Sequence, residues 1–125
     1  MKIHSGSLNE VIAELKKVPY VEAVILFGSH ARGTAREDSD IDLAVVTQGA
    51  TKEQEWNLIE KTPEFDICAF SRLPLVIQFR VIKEGKILFV RNKKELHNLY
   101  MRKIQAYLDF EPFIEEFYRR VIYNV

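Results

Sequence analysis

The sequence is poor in cysteine and has no run of apolar residues long enough to cross a membrane. Cys68 is the only cysteine among 125 residues, which excludes an internal disulfide and a zinc site built from several cysteines. No stretch of about 18 apolar residues occurs, and the N-terminus lacks the basic, apolar and small-residue segments of a secretion signal. We therefore expect a soluble cytoplasmic protein that has no membrane partner.

The chain also lacks an excess of either charge. Lys plus Arg and Asp plus Glu each total 18 residues. Balanced charge gives no electrostatic footprint for a phosphate backbone or an anionic lipid surface, so we expect no direct nucleic acid partner. The residues that are present, 47% hydrophobic and 29% charged, are those of an ordinary globular protein.

Hydrophobic periodicity predicts strands and helices in alternation. The patterns S-x-x-E at Ser7 and T-x-x-Q at Thr51 are typical of helix N-termini, and Pro74 and Gly85 bracket a further helix. A short helix is expected after the Gly-Ser pair at positions 28–29, and a helical C-terminus from Asn92 is expected to break near Pro112. The predicted strands are 21–27, 41–47, 65–70 and 86–91.

This element order predicts an α/β (α+β) fold, a small mixed sheet flanked by helices. The length predicts one domain over residues 1–125. Within it we expect a sheet-containing core over about 1–91 and C-terminal helices over about 92–125.

Asp40 and Asp42 begin the second predicted strand in the sequence S-D-I-D-L. Residues two apart in a strand share a face, so both carboxylates are expected to point to the side of Ala44 and Val46. Like charges about 6–7 Å apart repel one another, and a divalent cation such as Mg²⁺ removes that repulsion. The alternative is a solvated loop before the strand, and the aspartate pair alone does not decide between the two.

A Gly-Ser pair, Gly28 and Ser29, follows the first predicted strand. Glycine permits close approach of a ligand to the backbone, and Ser29 is expected to cap a helix whose free N–H groups attract phosphate. The alternative is a structural strand-to-helix turn. The succession of strand, Gly-Ser turn, short helix and Ser-Asp-x-Asp is far more specific than either dipeptide.

These residues form the pattern G-S-x-A-R-G-x5-S-D-x-D-L, from Gly28 to Leu43. The pattern resembles that of the minimal nucleotidyltransferases (MNT) of the DNA polymerase β-like superfamily. The stretches 73–91 and 107–117 are similar to the MNT antitoxins of HEPN–MNT toxin–antitoxin systems. The resemblance implies a nucleotidyltransferase fold and transfer of a nucleoside monophosphate to a hydroxyl, with release of pyrophosphate.

The resemblance also implies roles for individual residues. The third carboxylate of the family comes from a later strand, and Asp66, in the otherwise apolar F-D-I-C-A-F, matches it. The implied catalytic and metal-binding residues are Asp40, Asp42 and Asp66. The implied nucleotide-binding residues are Gly28, Ser29, Arg32 and Ser39. The implied cofactor is Mg²⁺, with two ions that Mn²⁺ can replace, and the implied substrate is ATP.

Three residues near this pattern have competing interpretations. Arg32 is suited to a phosphate contact and almost equally to a surface ion pair. His30 occupies an open position of the motif, so we expect it to be exposed. Cys68 shares a strand face with Asp66 and is expected to be a small buried hydrophobic residue.

The resemblance implies an enzyme that adenylylates a protein, a tyrosine of a partner HEPN ribonuclease toxin, and thereby neutralises it. One alternative is an antitoxin that masks its toxin by binding alone. Another is nucleotidyl transfer to a small molecule, for which 125 residues leave little room. The intact set of carboxylates favours an enzyme.

The C-terminal segment carries more aromatic residues than one core stripe needs. The stripe expected in the core comprises Leu96, Leu99, Tyr100, Ile104, Tyr107 and Leu108. Further aromatic residues lie on more than one side of the helix: Phe110, Phe113, Phe117, Tyr118 and Tyr123. We predict that part of 110–125 contacts a second chain, a like subunit or the toxin, the alternative being that it folds back to complete the core.

Overall fold

The computed structural model describes residues 6–123 of the chain. These residues form five α-helices and five strands, and a 3₁₀ turn over Phe70–Arg72 joins the fourth strand to the fourth helix. The helices are α1 (Leu8–Lys16), α2 (Ser29–Arg32), α3 (Lys52–Leu58), α4 (Leu75–Glu84) and α5 (Lys93–Tyr123). The strands are β1 (Val21–Phe27), β2 (Ile41–Thr47), β3 (Glu60–Lys61), β4 (Phe65–Ala69) and β5 (Lys86–Val90).

The strands form one mixed sheet in the order β3-β4-β2-β1-β5. Only the central pair β2 and β4 is parallel among the described strands, and α3 lies in the connection between them. The other neighbouring strands are antiparallel. The predicted α+β class, with a mixed sheet flanked by helices, is therefore confirmed.

Local sequence signals placed most element boundaries. The apolar run of β1 and the alternating run of β2 have the predicted limits. Ser7 Oγ accepts a hydrogen bond from the Glu10 amide at 3.2 Å, and Thr51 and Gln54 form a complete capping box before α3. The two-residue strand β3 was not predicted, because a strand this short leaves no periodic signal.

Helices cover both faces of the sheet, so the molecule has two hydrophobic clusters. The first cluster joins Val11 and Leu15 of α1 to Leu43 and Val45 of β2. The second packs Val81 of α4 and Leu96 of α5 on the opposite face of β1 and β2. Because Ala44 and Val46 belong to the second cluster, the predicted alternation of β2 is confirmed.

Helix α5 runs unbroken through Pro112, so the predicted break at that residue is wrong. A proline removes one backbone hydrogen bond and clashes with the preceding turn, which kinks or weakens a helix without necessarily ending it. Of the predicted core stripe, Leu96 is buried and Leu99, Tyr100, Ile104 and Tyr107 are half-buried. Leu108 is 50% exposed and is not a core residue, because the helix has by then extended beyond the sheet.

Among residues 6–123, no helix combines the length and the hydrophobicity that a membrane span requires.

Candidate active site

Three carboxylates meet at one end of the two parallel central strands. Asp40 directly precedes β2, Asp42 is its second residue, and Asp66 is the second residue of β4. Asp42 and Asp66 are direct partners in the register of β2 and β4, so parallel pairing brings residues 24 positions apart onto one row. One oxygen from each of the three carboxylates lies within 4.8 Å of the others.

The environment of Asp42 disfavours its charged form. Partial burial raises the pKa of Asp42 above its usual 3.8, and the negative charges of Asp40 and Asp66 raise the pKa further. Lys61 and His30 oppose this shift with positive charge. Asp42 is therefore the carboxylate of the set that has most to gain from a bound cation.

The carboxylates suit a hard divalent cation. Neighbouring oxygen ligands of an octahedral Mg²⁺ lie about 3 Å apart and opposite ligands about 4.2 Å apart, because the usual Mg–O distance is about 2.1 Å. Oxygens already within 4.8 Å of one another are close enough to converge on one ion by side-chain rotation. The donor set is entirely carboxylate, which is the ligand class that Mg²⁺ and Mn²⁺ prefer over imidazole or thiolate.

The turn that follows β1 packs directly against this set. Gly28 has φ +74° and ψ −155°, a conformation that is strained for residues other than glycine. A Cβ at Gly28 would collide with Asp42 Oδ2 and lie 3.1 Å from Asp42 Cγ. The glycine is therefore required both by its backbone angles and by the nearness of the Asp42 carboxylate.

Gly28, not Ser29, is the N-cap of α2, so the prediction that Ser29 caps this helix is wrong. The Gly28 carbonyl accepts hydrogen bonds from the amides of Ala31 and Arg32, both at 3.1 Å, which leaves Ser29 as the first helical residue. No side-chain hydrogen bond caps α2.

A second turn, Arg36–Ser39, sets the approach to Asp40. Ser39 Oγ accepts a hydrogen bond from the Arg36 amide at 2.9 Å, and the Ser39 amide donates to the Arg36 carbonyl at 3.0 Å. His30 Nε2 lies 3.1 Å from the Ser39 carbonyl oxygen. His30 is thus half-buried rather than exposed as predicted, because it ties α2 to the residue before Asp40.

Arg32 points to a different partner. Its Nη1 atom lies 3.4 Å from Glu84 Oε2, at the end of α4. Of the two interpretations of Arg32, the structure contains the surface ion pair.

Cys68 is half-buried. Burial raises the pKa of its thiol to about 12. Its Sγ atom donates a hydrogen bond to the Leu43 carbonyl at 3.4 Å.

Comparison with known proteins identifies the family. The model of the family described as "Polymerase beta, Nucleotidyltransferase" matches residues 9–94, which include all the residues of this site. The chain belongs to this nucleotidyltransferase family.

One relative in sequence and two solved structures are similar to this nucleotidyltransferase. MJ1547 of Methanocaldococcus jannaschii, assigned by name as a protein adenylyltransferase, is 30% identical over 97 residues, which are 77% of each chain. A chain of a toxin–antitoxin crystal structure with AMP-PNP superposes with a TM-score of 0.68 at 22% identity, covering 88% of this chain and 98% of that one.

A chain of the complex between the tri-AMPylated Shewanella oneidensis HEPN toxin and an MNT antitoxin gives a TM-score of 0.62 at 21% identity. It covers 86% of this chain and 92% of that one. Both superpositions show that the nucleotidyltransferase shares the fold of these chains.

One residue of the site was not foreseen from the sequence. Lys61 of β3 places its Nζ atom 3.2 Å from Asp40 Oδ2 and 3.3 Å from Asp66 Oδ2. Hydrogen bonds to Asp40 and Asp66 raise the pKa of Lys61 above its usual 10.5. The only available signal was the hairpin-like order E-K-T-P-E-F, in which a turn returns Lys61 to the side of Asp66.

Proposed function

We propose that this nucleotidyltransferase transfers AMP from ATP to a hydroxyl, the side chain of a tyrosine in a HEPN toxin partner, and so neutralises the toxin. The observation that carries the proposal is the convergence of Asp40, Asp42 and Asp66 against the Gly28 turn. The assigned activity of MJ1547 and the AMPylated toxin of the Shewanella oneidensis complex support protein as the acceptor class.

In this proposal Asp40, Asp42 and Asp66 hold Mg²⁺, as two ions that Mn²⁺ can replace. Held by these three carboxylates, the metal would supply positive charge to stabilise the negative charge on the attacking and leaving oxygens. The backbone at Gly28 and Ser29 faces the triphosphate, and the Arg36–Ser39 turn keeps Asp40 at the edge of the site. Ser39 contributes by accepting a hydrogen bond within the turn, and Arg32 contributes through its ion pair with Glu84. Both side chains are therefore held by contacts within the protein.

The reaction forms a bond between the acceptor oxygen and the α-phosphorus of ATP. It breaks the bond between that phosphorus and the bridging oxygen, so pyrophosphate leaves with the electron pair. The hydroxyl proton must depart as the new bond forms. Asp66, whose side chain is 41% exposed at the open side of the site, is the carboxylate we assign to help remove that proton.

Labelled ATP and a co-purified HEPN toxin test the transfer. Wild type should label the toxin, and the double variant Asp40→Asn/Asp42→Asn should lose labelling by several orders of magnitude, because metal-ion stabilisation contributes several kcal/mol to such reactions. Asp38→Asn is the matched control, since Asp38 is an exposed loop aspartate outside the set of close carboxylates. The expected result is that Asp38→Asn labels the toxin and the double variant does not. Equal labelling of the toxin by both variants would exclude the proposed site.

The exposed aromatic side chains of α5 favour binding as a second contribution to neutralisation. Phe113, Phe117 and Tyr118 are 67%, 62% and 58% exposed. We propose that the toxin docks on this surface, which the fold shared with chains of toxin–antitoxin complexes supports. Full neutralisation of the toxin in cells by Asp40→Asn/Asp42→Asn would show that masking, not transfer, is the mechanism.

A further inference from the structure

A lysine side chain lies between two of the three carboxylates of the site. Lys61 Nζ is 3.2 Å from Asp40 Oδ2 and 3.3 Å from Asp66 Oδ2, so one ammonium group bridges both aspartates. The proposed metal must contact the same two carboxylates. A bound metal and this bridging position of Lys61 therefore compete for the same two carboxylates.

The backbone register places Lys61 there. Lys61 is the direct partner of Asp66 in the antiparallel pair β3 and β4, and Asp66 is the direct partner of Asp42 in the parallel pair β4 and β2. Directly paired residues project from the same face of a sheet, so Lys61, Asp66 and Asp42 form one row across three strands. The row would keep the lysine beside the carboxylates even if its side chain changed rotamer.

The turn between β3 and β4 fixes this register. The Thr62 amide donates to the Phe65 carbonyl at 2.8 Å, and the Phe65 amide donates to Thr62 Oγ1 at 3.0 Å. One residue earlier than Phe65, the Glu64 carbonyl accepts a hydrogen bond from the Ile41 amide at 2.8 Å. That bond ties the turn to the strand between Asp40 and Asp42. The short edge strand β3 thus has an evident role, which is to present Lys61 to the site.

We propose that Lys61 is a built-in counter-ion of the carboxylate set. It offsets the repulsion among Asp40, Asp42 and Asp66 while no metal is bound, and it leaves Asp40 and Asp66 when the metal binds. The proposal rests on the metal-binding role proposed above. Its consequence is that Lys61 stabilises the metal-free protein and weakens the affinity for the metal, so the site empties and fills within a protein that stays folded.

Lys61→Met removes the charge and keeps a similar length of side chain. We expect it to bind Mn²⁺ with a dissociation constant about three- to tenfold lower than that of wild type, because no ion pair of Lys61 has to break before the metal binds. In EDTA the same variant should have a lower melting temperature than wild type, because three carboxylates then lack their cation. Calorimetric titration with Mn²⁺ alone and thermal unfolding in EDTA give the two readouts without any activity assay.

Lys17→Met is the matched control. Lys17 is also an exposed lysine, 73% accessible, and it pairs with Glu14 at 3.1 Å on α1, away from the carboxylates. It changes the net charge by the same amount, so it should leave Mn²⁺ affinity unchanged within a factor of about two if the effect of Lys61 is local. Lys61→Arg, which keeps the positive charge, should bind Mn²⁺ as wild type does.

Unchanged or weaker Mn²⁺ binding by Lys61→Met, with normal binding by wild type, overturns the role of Lys61 and leaves the metal site standing. A melting temperature in EDTA that does not fall also overturns it. Absence of Mn²⁺ binding in wild type and in every lysine variant overturns the proposed metal site itself, and the counter-ion with it. Tighter binding by Lys61→Met but not by Lys17→Met is the result that supports the proposal.

Discussion

At the scale of single residues, the charge of Asp42 works against stability in the metal-free protein. Burial, then Asp40 and Asp66, raise its pKa in the folded state above 3.8, so the native protein binds the Asp42 proton more tightly than the unfolded chain does. A raised pKa contributes stability at low pH that is lost as the pH rises through the folded-state value. Above that value, the ionised carboxylate destabilises the fold.

Asp42→Asn should therefore raise the melting temperature in EDTA at pH 7, while it removes the stabilisation that Mg²⁺ gives the wild type. Its advantage over wild type should shrink as the pH falls through the raised folded-state pKa, because Asp42 of the native wild type then takes up its proton. Thermal unfolding between pH 4 and pH 8, with EDTA or with Mg²⁺, measures both effects. A variant that is less stable than wild type in EDTA at pH 7 contradicts this account of Asp42.

Gly28 and Gly33 provide a second comparison at this scale, since both have positive φ, +74° and +76°. Gly33→Ala should cost about 1 kcal/mol of unfolding free energy, because a Cβ there meets nothing within 4 Å and only the backbone conformation is strained. Gly28→Ala should cost more, about 2–3 kcal/mol, because the strain is joined by the collision with Asp42. Urea unfolding measures both costs.

Only Gly28→Ala should also weaken Mn²⁺ binding, because it displaces the Asp42 carboxylate. Equal effects of the two alanines on Mn²⁺ affinity would mean that Gly28 serves the turn alone. The resemblance gave a role to Gly28 and none to Gly33, but the nearness of Asp42 to Gly28 could come only from the structure.

The residues of the site differ in how far sequence could predict them. Asp66 was predicted from the family resemblance, which implies a carboxylate on a later strand, and the otherwise apolar strand supported the choice. Parallel pairing then placed Asp66 beside Asp42. Lys61 was missed because an exposed lysine in a polar stretch carries no such signal. Its position depends on the register across a turn, which side-chain patterns leave undetermined.

At the scale of elements, strong periodic patterns gave reliable predictions, and so did Pro74 and Gly85 at the two ends of α4. The apolar run of β1 and the alternation of β2 fixed both strands. Pro112 was expected to break the C-terminal helix, but α5 continues through it, because the loss of one backbone hydrogen bond weakens a helix without necessarily ending it.

A polar contact that sequence patterns cannot show holds α3 to the sheet. Glu55 Oε2 accepts from Thr47 Oγ1 at 2.9 Å, and Glu55 Oε1 accepts from Ser71 Oγ at 2.8 Å and from Arg72 Nε at 3.1 Å. Burial raises the pKa of Glu55, but the hydrogen bonds from Ser71 and Thr47 and the charge of Arg72 lower it by more, so the net shift is below 4.5. The ionised carboxylate therefore stabilises the fold.

Glu55→Gln should reduce the unfolding free energy by about 1–2 kcal/mol at pH 7, the usual loss when hydrogen bonds to a charged group are weakened. A lowered pKa contributes stability above the unfolded-state value near 4.5, and that stability is lost as the pH falls through the folded-state pKa. The difference between variant and wild type should thus shrink on acidification below 4.5. Glu53 is an exposed residue of the same helix. The unfolding free energy of Glu53→Gln, measured with urea, should match that of wild type both at pH 7 and below pH 4.5.

At the scale of the whole molecule, the sheet and the first half of α5 form the packed body, and the second half of α5 is left uncovered. Phe79 of α4 stacks on Tyr107 of α5 with ring centroids 3.9 Å apart. Beyond that stack, Phe110 and the aromatic residues after it are exposed, so the alternative in which this segment completes the core is wrong for the described side chains. Tyr123 is among the residues whose side chains are not described.

This surface leads to a prediction about assembly. Phe113→Ala/Phe117→Ala should leave the melting temperature unchanged, since both rings are more than 60% exposed, at 67% and 62%. It should weaken toxin binding at least about thirtyfold, because even one large aromatic side chain at the centre of an interface contributes about 2 kcal/mol. Calorimetry with the purified toxin and sedimentation of the free protein measure partner binding and self-association together.

Trp56→Ala is the matched control, because Trp56 is an equally exposed aromatic residue, at 63%, on α3. It should bind the toxin as wild type does. Unfolding of the double variant would contradict the exposed position of the two rings, and normal toxin binding by it would mean that the toxin docks elsewhere. A wild type that sediments as a dimer, with a double variant that sediments as a monomer and still binds the toxin, would assign the aromatic surface of α5 to a like subunit. Loss of toxin binding by a folded, monomeric double variant is the outcome that α5 predicts, because both substituted rings are exposed in the described chain.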